Sequence, residues 1–179
     1  YLLIKRGVEL DELKCTCEAF TEDIQPTFLV VKNDKGNYVY GCLAGIPVLN
    51  KDNKTVVTGS DLKSMLKSDV VLDFATYTTV NQVFDYVFGE WLSQVNQGSF
   101  SCELQYNDNV GAINLTDLKP SGRGKYDCWT DIFAPYLKFY GLYMTSSLDL
   151  VNKKVIFTVG KAMCRDMNIK LWEFGIYDY

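Results

Sequence analysis

A glycine-rich basic segment is the first group of residues whose types and spacing suggest chemistry. Ser121-Gly122-Arg123-Gly124-Lys125 stands just before a region of helical periodicity. Backbone amides at such a junction, together with the side chains of Arg123 and Lys125, could hold an anion. However, Tyr126 occupies the position where a nucleotide-binding P-loop has Ser or Thr, and the glycine spacing differs from that motif. Because Gly and Ser commonly mark loops, we favour a flexible connector.

Two groups of acids offer a second kind of chemistry. Asp127 and Asp131 are four residues apart, and Glu90 and Glu103 flank the loop after the longest predicted helix. Glycosidases use such carboxylate pairs and need no histidine. The alternative for Asp127 is a cap or first-turn acid that complements a helix dipole, and for Glu90 it is an exposed helix face. We favour these structural roles.

Cys128 is the best-placed thiol for nucleophilic catalysis, because a helix start stabilises a thiolate. The chain of 179 residues contains no histidine that could act as its base. Burial of Cys128 on the face that carries Trp129 is therefore the favoured interpretation. The same absence removes the histidine-dependent triads and the usual zinc sites. We expect no catalytic residue, no cofactor-binding residue, no metal ligand and no cofactor in this chain, and we expect it not to be an enzyme.

The six cysteines contain no C-x-x-C pair, so their spacing does not predict a zinc ribbon; they are Cys15, Cys17, Cys42, Cys102, Cys128 and Cys164. Cys15 and Cys17 would share one face of a strand, which permits a soft-metal site. We favour the interpretation that both are small buried residues, because free cysteine is usually buried. Unpaired thiols are typical of assembly in a reducing cytoplasm.

Charge and hydropathy argue against two further classes of protein, those that bind nucleic acid and those that span a membrane. The net charge is −4 and the sequence has no long Lys/Arg cluster, so it predicts no basic surface for the phosphates of nucleic acid. We therefore expect no nucleic-acid partner. No apolar run approaches the roughly 18 residues of a membrane span, so we expect no span. At 47% hydrophobic residues the chain can bury a sizeable core. It starts without methionine and stops within an aromatic stretch, which suggests a piece of a longer protein.

The first third of the chain predicts a β-meander. Residues 1–4 and 13–20 resemble strands, and two β-rich runs flank Asn33-Asp34-Lys35-Gly36, a turn that Gly36 can close with positive φ. A second pair of runs, 46–49 and 55–58, flanks the turn at Asn50–Asn53. Ser60 is the predicted N-cap of a short helix in which Leu62, Met65 and Leu66 share a face.

Helices dominate the middle of the chain. After a strand at 70–75, Thr79 is the predicted cap of the strongest helix, whose apolar residues follow the i, i+3, i+4, i+7 pattern: Val80, Val83, Phe84, Val87, Phe88, Trp91, Leu92 and Val95. We expect this stripe to bury against a sheet rather than to line a ligand pocket. A strand at 100–106 and a polar loop at 107–125 follow.

The last third combines a helix with strands. Residues 128–140 predict a helix that Pro135 kinks and Gly141 ends. Residues 142–148 and 154–159 predict a hairpin around Val151-Asn152, and 169–177 predicts a final strand.

The order of these motifs resembles the baseplate or tail hub proteins of long-tailed bacteriophages and prophages, the siphophage tail hub family. The resemblance spans most of the chain and is carried by GNYVYGCLAGIPVLNKDNKTVVTGSDLKSMLK, TYTTVNQVFDYVF, GRGKYDCWTDIFAPYLKFYGLYM, LDLVNKKVIFTVGKA and LWEFGIYDY. It implies a β-barrel that trimerises around the tail tube exit, with an α/β insertion outside it. Gly59, Asp61, Leu62 and Leu66 would shape the first junction between barrel and helix.

We therefore expect an α+β fold in which a barrel-like antiparallel β-sheet, residues 1–59 and 142–179, is interrupted by a helix-containing α/β insertion, residues 60–141. The resemblance implies a structural protein of the virion tail, assembled in the bacterial cytoplasm, that links the tail tube to a fibre or spike. Its partners would be itself, as a homotrimer, and other tail proteins. A barrel sector shared between subunits would leave an exposed strand edge or apolar patch on one chain.

Two alternatives stay open. A surface or secreted carbohydrate- or peptide-binding module would present an exposed aromatic cleft, and the abundant tyrosines suit recognition. A carboxylate-dependent hydrolase would need two acids that face each other across a groove.

Overall fold

The structure, a computed structural model, describes residues 2–5, 12–18, 27–36, 38–94, 100–108, 110–116, 118 and 120–161. For 2–5, 12–18 and 39 it describes the backbone alone. The predicted strand 169–177, Cys164 and Val95 lie outside the described residues.

The described residues form eleven strands and four helical segments. The strands are β1 (Leu2–Lys5), β2 (Glu12–Glu18), β3 (Phe28–Lys32), β4 (Tyr38–Ala44), β5 (Val48–Leu49), β6 (Lys54–Ser60), β7 (Asp69–Phe74), β8 (Ser101–Tyr106), β9 (Gly122–Asp127), β10 (Leu142–Asp149) and β11 (Lys154–Lys161). The helices are a 3-10 helix (Leu62–Leu66), α1 (Val80–Gln94), a π-helix (Cys128–Phe133) and α2 (Ala134–Phe139).

The predicted strands are confirmed and form a six-stranded sheet in the order β1-β2-β6-β4-β3, with β5 paired to β6. The predicted meander is wrong, because β2 pairs with β6 and not with the next strand along the chain, β3. At the β3–β4 turn, Gly36 has φ 77° and its N–H donates to the carbonyl of Asn33 at 2.8 Å. At the β5–β6 turn, the side chain of Asn50 accepts from the backbone N–H groups of Asp52 and Lys54, both at 2.9 Å. Turn chemistry thus closes both hairpins.

The first helix is a 3-10 helix, and its N-cap is Asp61 instead of the predicted Ser60. The Asp61 carboxylate accepts from the backbone N–H of Lys63 at 2.9 Å. Asp is as good a cap as Ser, so residue type alone could not separate the two neighbours. Leu62 and Leu66 are fully buried, as their spacing predicted.

Helix α1 has the predicted start and the predicted buried face. The hydroxyl of Thr79 accepts from the N–H of Gln82 at 3.3 Å, and the Gln82 side chain accepts from the N–H of Thr79 at 3.2 Å. These reciprocal bonds form a capping box. The buried stripe packs against aromatic residues of the following elements, with ring centroids 4.9 Å apart for Phe84 and Phe133 and 6.3 Å apart for Trp91 and Phe157.

The predicted closing hairpin is confirmed as β10–β11, but it belongs to a separate three-stranded sheet, β10-β11-β8. Strand β8 pairs with β11 in parallel. The expectation that strands of 1–59 and 142–179 form one barrel-like sheet is therefore wrong for the described residues, in which the sheets stay open. The reason is that β11 uses its second edge for β8, which comes from the predicted insertion. The mostly β architecture with few helices remains compatible with an α+β fold.

The helix predicted at 128–140 begins as the π-helix and continues as α2. Pro135 lies at the start of α2, where a missing N–H is tolerated. Gly141 follows the C-cap Tyr140 with φ 63°, so the prediction that it ends the helix is confirmed.

One hydrophobic core joins α1, the π-helix, α2 and the smaller sheets. Its largest fully buried side chains include Trp91, Phe84, Phe133 and Phe157. The indole N–H of Trp91 donates to the hydroxyl of Ser68 at 2.8 Å, so this buried polar atom has a partner. The division into a hub domain, 1–59 and 142–179, and an insertion, 60–141, stays a prediction.

Candidate functional site

The glycine-rich basic segment is mainly a strand. Gly122–Asp127 forms β9, which pairs antiparallel with β7, and Arg123 lies opposite Asp73. The ammonium of Lys125 lies 2.7 Å from the carboxylate of Asp69. The favoured connector is therefore wrong for 122–125, and the alternative anion loop before a helix is also not formed. Pairing with β7 stabilises the strand and sets acids beside both cations.

Asp127 and Asp131 are brought together as caps of the π-helix. The carboxylate of Asp127 accepts from the N–H of Thr130 at 2.6 Å, and that of Asp131 accepts from the N–H of Asp127 at 2.8 Å. These bonds satisfy backbone donors that a helix start leaves without helical partners. The capping role predicted for Asp127 is confirmed.

Glu90 and Glu103 have separate partners. Glu90 accepts from the side-chain amide of Gln94 on its own helix at 3.1 Å. The carboxylate of Glu103 lies 2.9 Å from the ammonium of Lys154 on the neighbouring strand. The hydrogen bonds from Gln105 and Lys154 lower the pKa of Glu103, and a low pKa is the opposite of what a general acid needs.

Cys128 is fully buried at the start of the π-helix, as its predicted place on the Trp129 face required. Burial, reinforced by the negative charges of Asp127, Asp131 and Asp69, raises the pKa of its thiol to about 12. A thiol with this pKa stays protonated at neutral pH and is a poor nucleophile. Cys42 and Cys102 are buried as well, and burial raises the pKa of each to about 11. The side chains of Cys15 and Cys17 lie outside the description, so their shared face stays a prediction.

A buried polar cluster joins the first helix to the last hairpin. The ammonium of Lys63 lies 3.0 Å from the Asp61 carboxylate, and both side chains are nearly inaccessible to solvent. Ser146 of β10 donates to Asp61 at 2.8 Å, and Lys63 donates to the carbonyl of Met144 at 3.2 Å. Lys63 also lies 5.8 Å from the ring centroid of Trp129, within range of a cation–π contact. Each charge is thus compensated, and the cluster fixes the position of the helix against β10.

A shallow surface depression of about 270 Å³ lies beside the two-stranded sheet. Phe74 and Tyr77 line it together with Pro120, Ser121 and Gly122. Tyr86 and Tyr126 extend the aromatic cluster, with ring centroids 5.7 and 5.4 Å from that of Phe74. This is the nearest approach, among the described residues, to the exposed aromatic cleft of a ligand-binding module.

Among the side chains that the structure describes in the six-stranded sheet, the most exposed aliphatic group lies on a hairpin that we call the β5 arm, residues 46–54. The exposed fractions of Ile46, Val48 and Leu49 are 79%, 61% and 62%. Strand β5 pairs with β6 through only two residues. Gly45, just before the arm, allows the close approach to β6 that anchors it, since its N–H donates to the Thr58 carbonyl at 2.6 Å and a Cβ would lie 2.8 Å from that oxygen.

The pattern of the β5 arm predicted its strands but not its exposure. Alternating aliphatic residues predict a half-buried strand, and nothing in that pattern tells which strands lack a covering layer. The only available signal was the expectation that a shared barrel sector leaves an apolar patch somewhere on one chain.

Neither a metal site nor a membrane helix is found in the described part of the chain. No group of three or more His, Cys, Asp or Glu side chains there could hold a metal ion. None of the helices described is both long enough and apolar enough to cross a bilayer.

No family model matches the chain. No curated protein shows significant similarity to it. Among solved structures, it is similar to the E. coli c3393 protein, a component of the type VI secretion system that exhibits structural similarity to the T4 bacteriophage tail proteins gp27 and gp5. The TM-score is 0.48 at 9% identity, over 85% of this chain and 42% of that chain.

A second similar structure is a chain of a lidless PdpA–VgrG complex, with a TM-score of 0.46 at 12% identity, over 90% of this chain and 30% of that chain. This chain therefore spans less than half the length of either neighbour. Both TM-scores lie below 0.5, so neither similarity assigns the chain to a family.

Proposed function

We propose that the chain is a non-enzymatic structural component of a phage or prophage tail tip, of the baseplate hub kind, that links the tail tube to a fibre or spike. In this proposal it lies in the virion tail, assembles in the bacterial cytoplasm, and binds copies of itself, as a homotrimer, and other tail proteins. The observation that carries the proposal is the exposed β5 arm.

The arm has the properties of an assembly contact. Val48 and Leu49 are adjacent in a strand, so their side chains point to opposite faces, and both are mostly exposed. The arm therefore leaves both of its faces uncovered by the described part of the chain. Isolated soluble proteins rarely expose such clustered aliphatic residues, whereas subunits of assemblies bury them against a neighbour.

The edges of the six-stranded sheet support the same conclusion. Strand β3 ends the sheet in the described order, and β5 pairs on one side only, with β6. An edge strand offers unpaired N–H and C=O groups to a strand of another chain. Open edges beside an apolar arm fit a sheet that is completed by neighbouring subunits, as in the hub proteins that the sequence resembles.

Light scattering over a concentration series tests the proposal. We expect the unaltered chain to form a trimer, and the variant Ile46→Ser/Val48→Ser/Leu49→Ser to stay monomeric with an unchanged circular dichroism spectrum. Val151→Ser is a matched control, because Val151 is also an exposed aliphatic residue, 90% accessible, in the turn of a different hairpin. It should assemble like the unaltered chain.

Two results would contradict the proposal. One is a strictly monomeric unaltered chain at every concentration. The other is assembly that the arm variant and Val151→Ser reduce equally, because any exposed aliphatic residue would then have the same effect.

The second candidate function is a carbohydrate- or peptide-binding module, and the depression beside Phe74 and Tyr77 is what favours it. Aromatic rings that line a depression can pack on the apolar faces of sugars and peptide side chains. Tyr77 is the partly exposed ring here, whereas Phe74 is buried. Glycan and peptide binding screens test this candidate, with Tyr77→Ala expected to abolish any binding and Phe139→Ala, an exposed ring outside the depression, expected to leave it unchanged.

A further inference from the structure

The outer edge of β7 is covered by side chains of α1 in place of a strand. The N–H of Val71 donates to the side-chain oxygen of Gln94 at 3.0 Å, and the Gln94 amide donates to the carbonyl of Val71 at 3.1 Å. The hydroxyl of Tyr86 accepts from the N–H of Asp73 at 2.8 Å and donates to its carbonyl at 3.0 Å. Four consecutive edge groups are thus satisfied by two side chains.

The register shows that these groups point away from β9. Cys128 donates to the carbonyl of Ser68, which sets the alternation of the antiparallel ladder. Val70 and Leu72 then exchange hydrogen bonds with β9, and Val71 and Asp73 present theirs to the opposite side. Gln94 and Tyr86 therefore occupy the positions that a third strand would use.

We propose that Gln94 and Tyr86 form an edge guard that keeps β7 from pairing with β7 of a second copy of this chain. A side-chain amide has the same donor and acceptor as a backbone amide, so Gln94 satisfies Val71 as a neighbouring residue would. Unlike a neighbouring strand, these two side chains end on a helix and offer no further edge. The sheet consequently stops at β7, whereas no described strand pairs with the outer edge of β3 or of β5.

A second copy is the occupant that the geometry favours. Antiparallel pairing of β7 with its own copy around Val71 would form a four-stranded sheet with two-fold symmetry, the commonest symmetry of dimers. Val71 is 49% exposed and would pack against its counterpart at the centre. The pairing would set Asp69 opposite Asp73 of the copy, a repulsion between like charges that Lys125 and Arg123 on β9, beside these acids, would partly offset.

The test uses the full chain with the serine-substituted β5 arm, so that assembly through the arm cannot be mistaken for assembly through β7. In that background, the guard variant Gln94→Ala/Tyr86→Ala removes both side chains that cover the edge. Ser93→Ala/Tyr126→Ala is the matched control, because it also places Ala near the end of α1 and removes one ring from the same aromatic cluster, without removing a hydrogen bond to β7.

Light scattering should show a concentration-dependent dimer for the guard variant and a monomer for the control. At low concentration, hydrogen exchange at the amides of Val71 and Asp73 should become about tenfold faster in the guard variant, as expected for loss of one net hydrogen bond each. Adding Val71→Pro should restore the monomer, because proline removes the outward N–H that a second strand would need and breaks no bond to β9.

Three results would overturn the inference. The first is a guard variant that stays monomeric over the same concentrations as the control. The second is a dimer that persists with Val71→Pro, because such a dimer would form through another surface. The third applies if the guard variant does not fold by circular dichroism: Gln94→Ala alone then removes both bonds to Val71, and a monomeric Gln94→Ala variant would overturn the inference equally.

Discussion

Phe84, Val87 and Trp91 of α1 and Ile46, Val48 and Leu49 of the β5 arm are comparably apolar, yet the first three are fully buried and the second three are mostly exposed. The helix residues are enclosed by earlier and later elements of the same chain. The arm residues lie on a two-residue strand that no described element covers. The difference indicates two uses of hydrophobic surface: α1 stabilises the fold of one chain, and the arm is available to another.

The core side of this comparison is tested most strongly by Phe84→Ala. Phe84 is fully buried between the rings of Phe133 and Tyr136, so its truncation leaves a cavity. We expect a loss of about 3–5 kcal/mol in the free energy of unfolding, measured by urea denaturation. Phe139→Ala, at a half-exposed ring, should cost less than about 1 kcal/mol. Equal losses would show that burial does not distinguish the two positions.

The buried polar cluster predicts the next largest effect. Asp61→Ala would leave the ammonium of Lys63 buried without its carboxylate, and we expect a loss of about 3 kcal/mol. Asp69→Ala removes an equally short ion pair whose partners are exposed, and it should cost less than about 1 kcal/mol. Chemical denaturation of both variants measures the contrast, and a small effect at Asp61 would show that water reaches the cluster.

The thiol of Cys128 predicts how stability changes with pH. Its pKa is raised to about 12 in the folded chain, so between pH 9 and 11 the unfolded chain loses this proton and the folded chain keeps it. The part of the free energy of unfolding that comes from this thiol is complete below the pKa of the unfolded chain. It falls as pH rises, by up to roughly 1.4 kcal/mol per pH unit. Cys128→Ala should therefore have a flatter decline over this range, measured by urea denaturation at each pH. Parallel curves would contradict the burial of the thiol.

Gly141 predicts a smaller cost that comes from backbone conformation alone. Its φ is 63°, and a Cβ there would meet no atom within 4 Å. Gly141→Ala should lower the free energy of unfolding by about 1 kcal/mol, because L residues adopt this conformation with strain. Gly89→Ala is the control, since Gly89 lies in α1 with equal space and without positive φ, and the substitution should stabilise the helix. Thermal unfolding of both variants checks the opposite signs.

The arm predicts the smallest effect on the stability of one chain. Ile46→Ser alters a side chain that is 79% exposed, so the free energy of unfolding of the monomer should change by less than about 0.5 kcal/mol. Denaturation at a concentration too low for assembly measures this value. A loss comparable to that of Phe84→Ala would mean that the arm is part of the core, and the comparison would fail.

Local patterns in the sequence account for much of the fold. The stripe of α1, the turns at Gly36 and Asn50, and the end of α2 at Gly141 follow from residue spacing and backbone preference, and all are present. Each depends on residues within a few positions of one another, which is the range over which helix and turn rules act.

Long-range pairing accounts for what was missed. Strand β9 has two glycines and no alternation of apolar residues, and it forms because β7 pairs with it. The parallel contact of β8 with β11 joins residues about fifty positions apart, and no local pattern predicts it. The contacts of Gln94 and Tyr86 with β7 depend on how α1 is positioned over the sheet, so single residue types could not indicate them.

The candidate chemistry of the sequence was resolved by the same long-range contacts. In the sequence, Arg123 and Lys125 suggest an anion site. In the structure, pairing with β7 sets Asp73 and Asp69 beside them. Cys128 suggested a nucleophile, and the core that surrounds it keeps the thiol protonated. In both cases the residue types were correct for the chemistry, and their surroundings assigned them to structure.

The parallel β8–β11 pair also has a consequence for synthesis on the ribosome. Strand β8 emerges about fifty residues before its partner β11, and α1 ends about sixty residues before Phe157, which covers it. Until then the aromatic residues of α1 are exposed in the nascent chain where Phe157 would cover them. Exposed hydrophobic surface of this kind binds chaperones and favours aggregation over correct folding. Folding of this region is therefore delayed until the last described hairpin leaves the exit tunnel, and a chain that stops before residue 154 would leave the helix without its aromatic partner on β11.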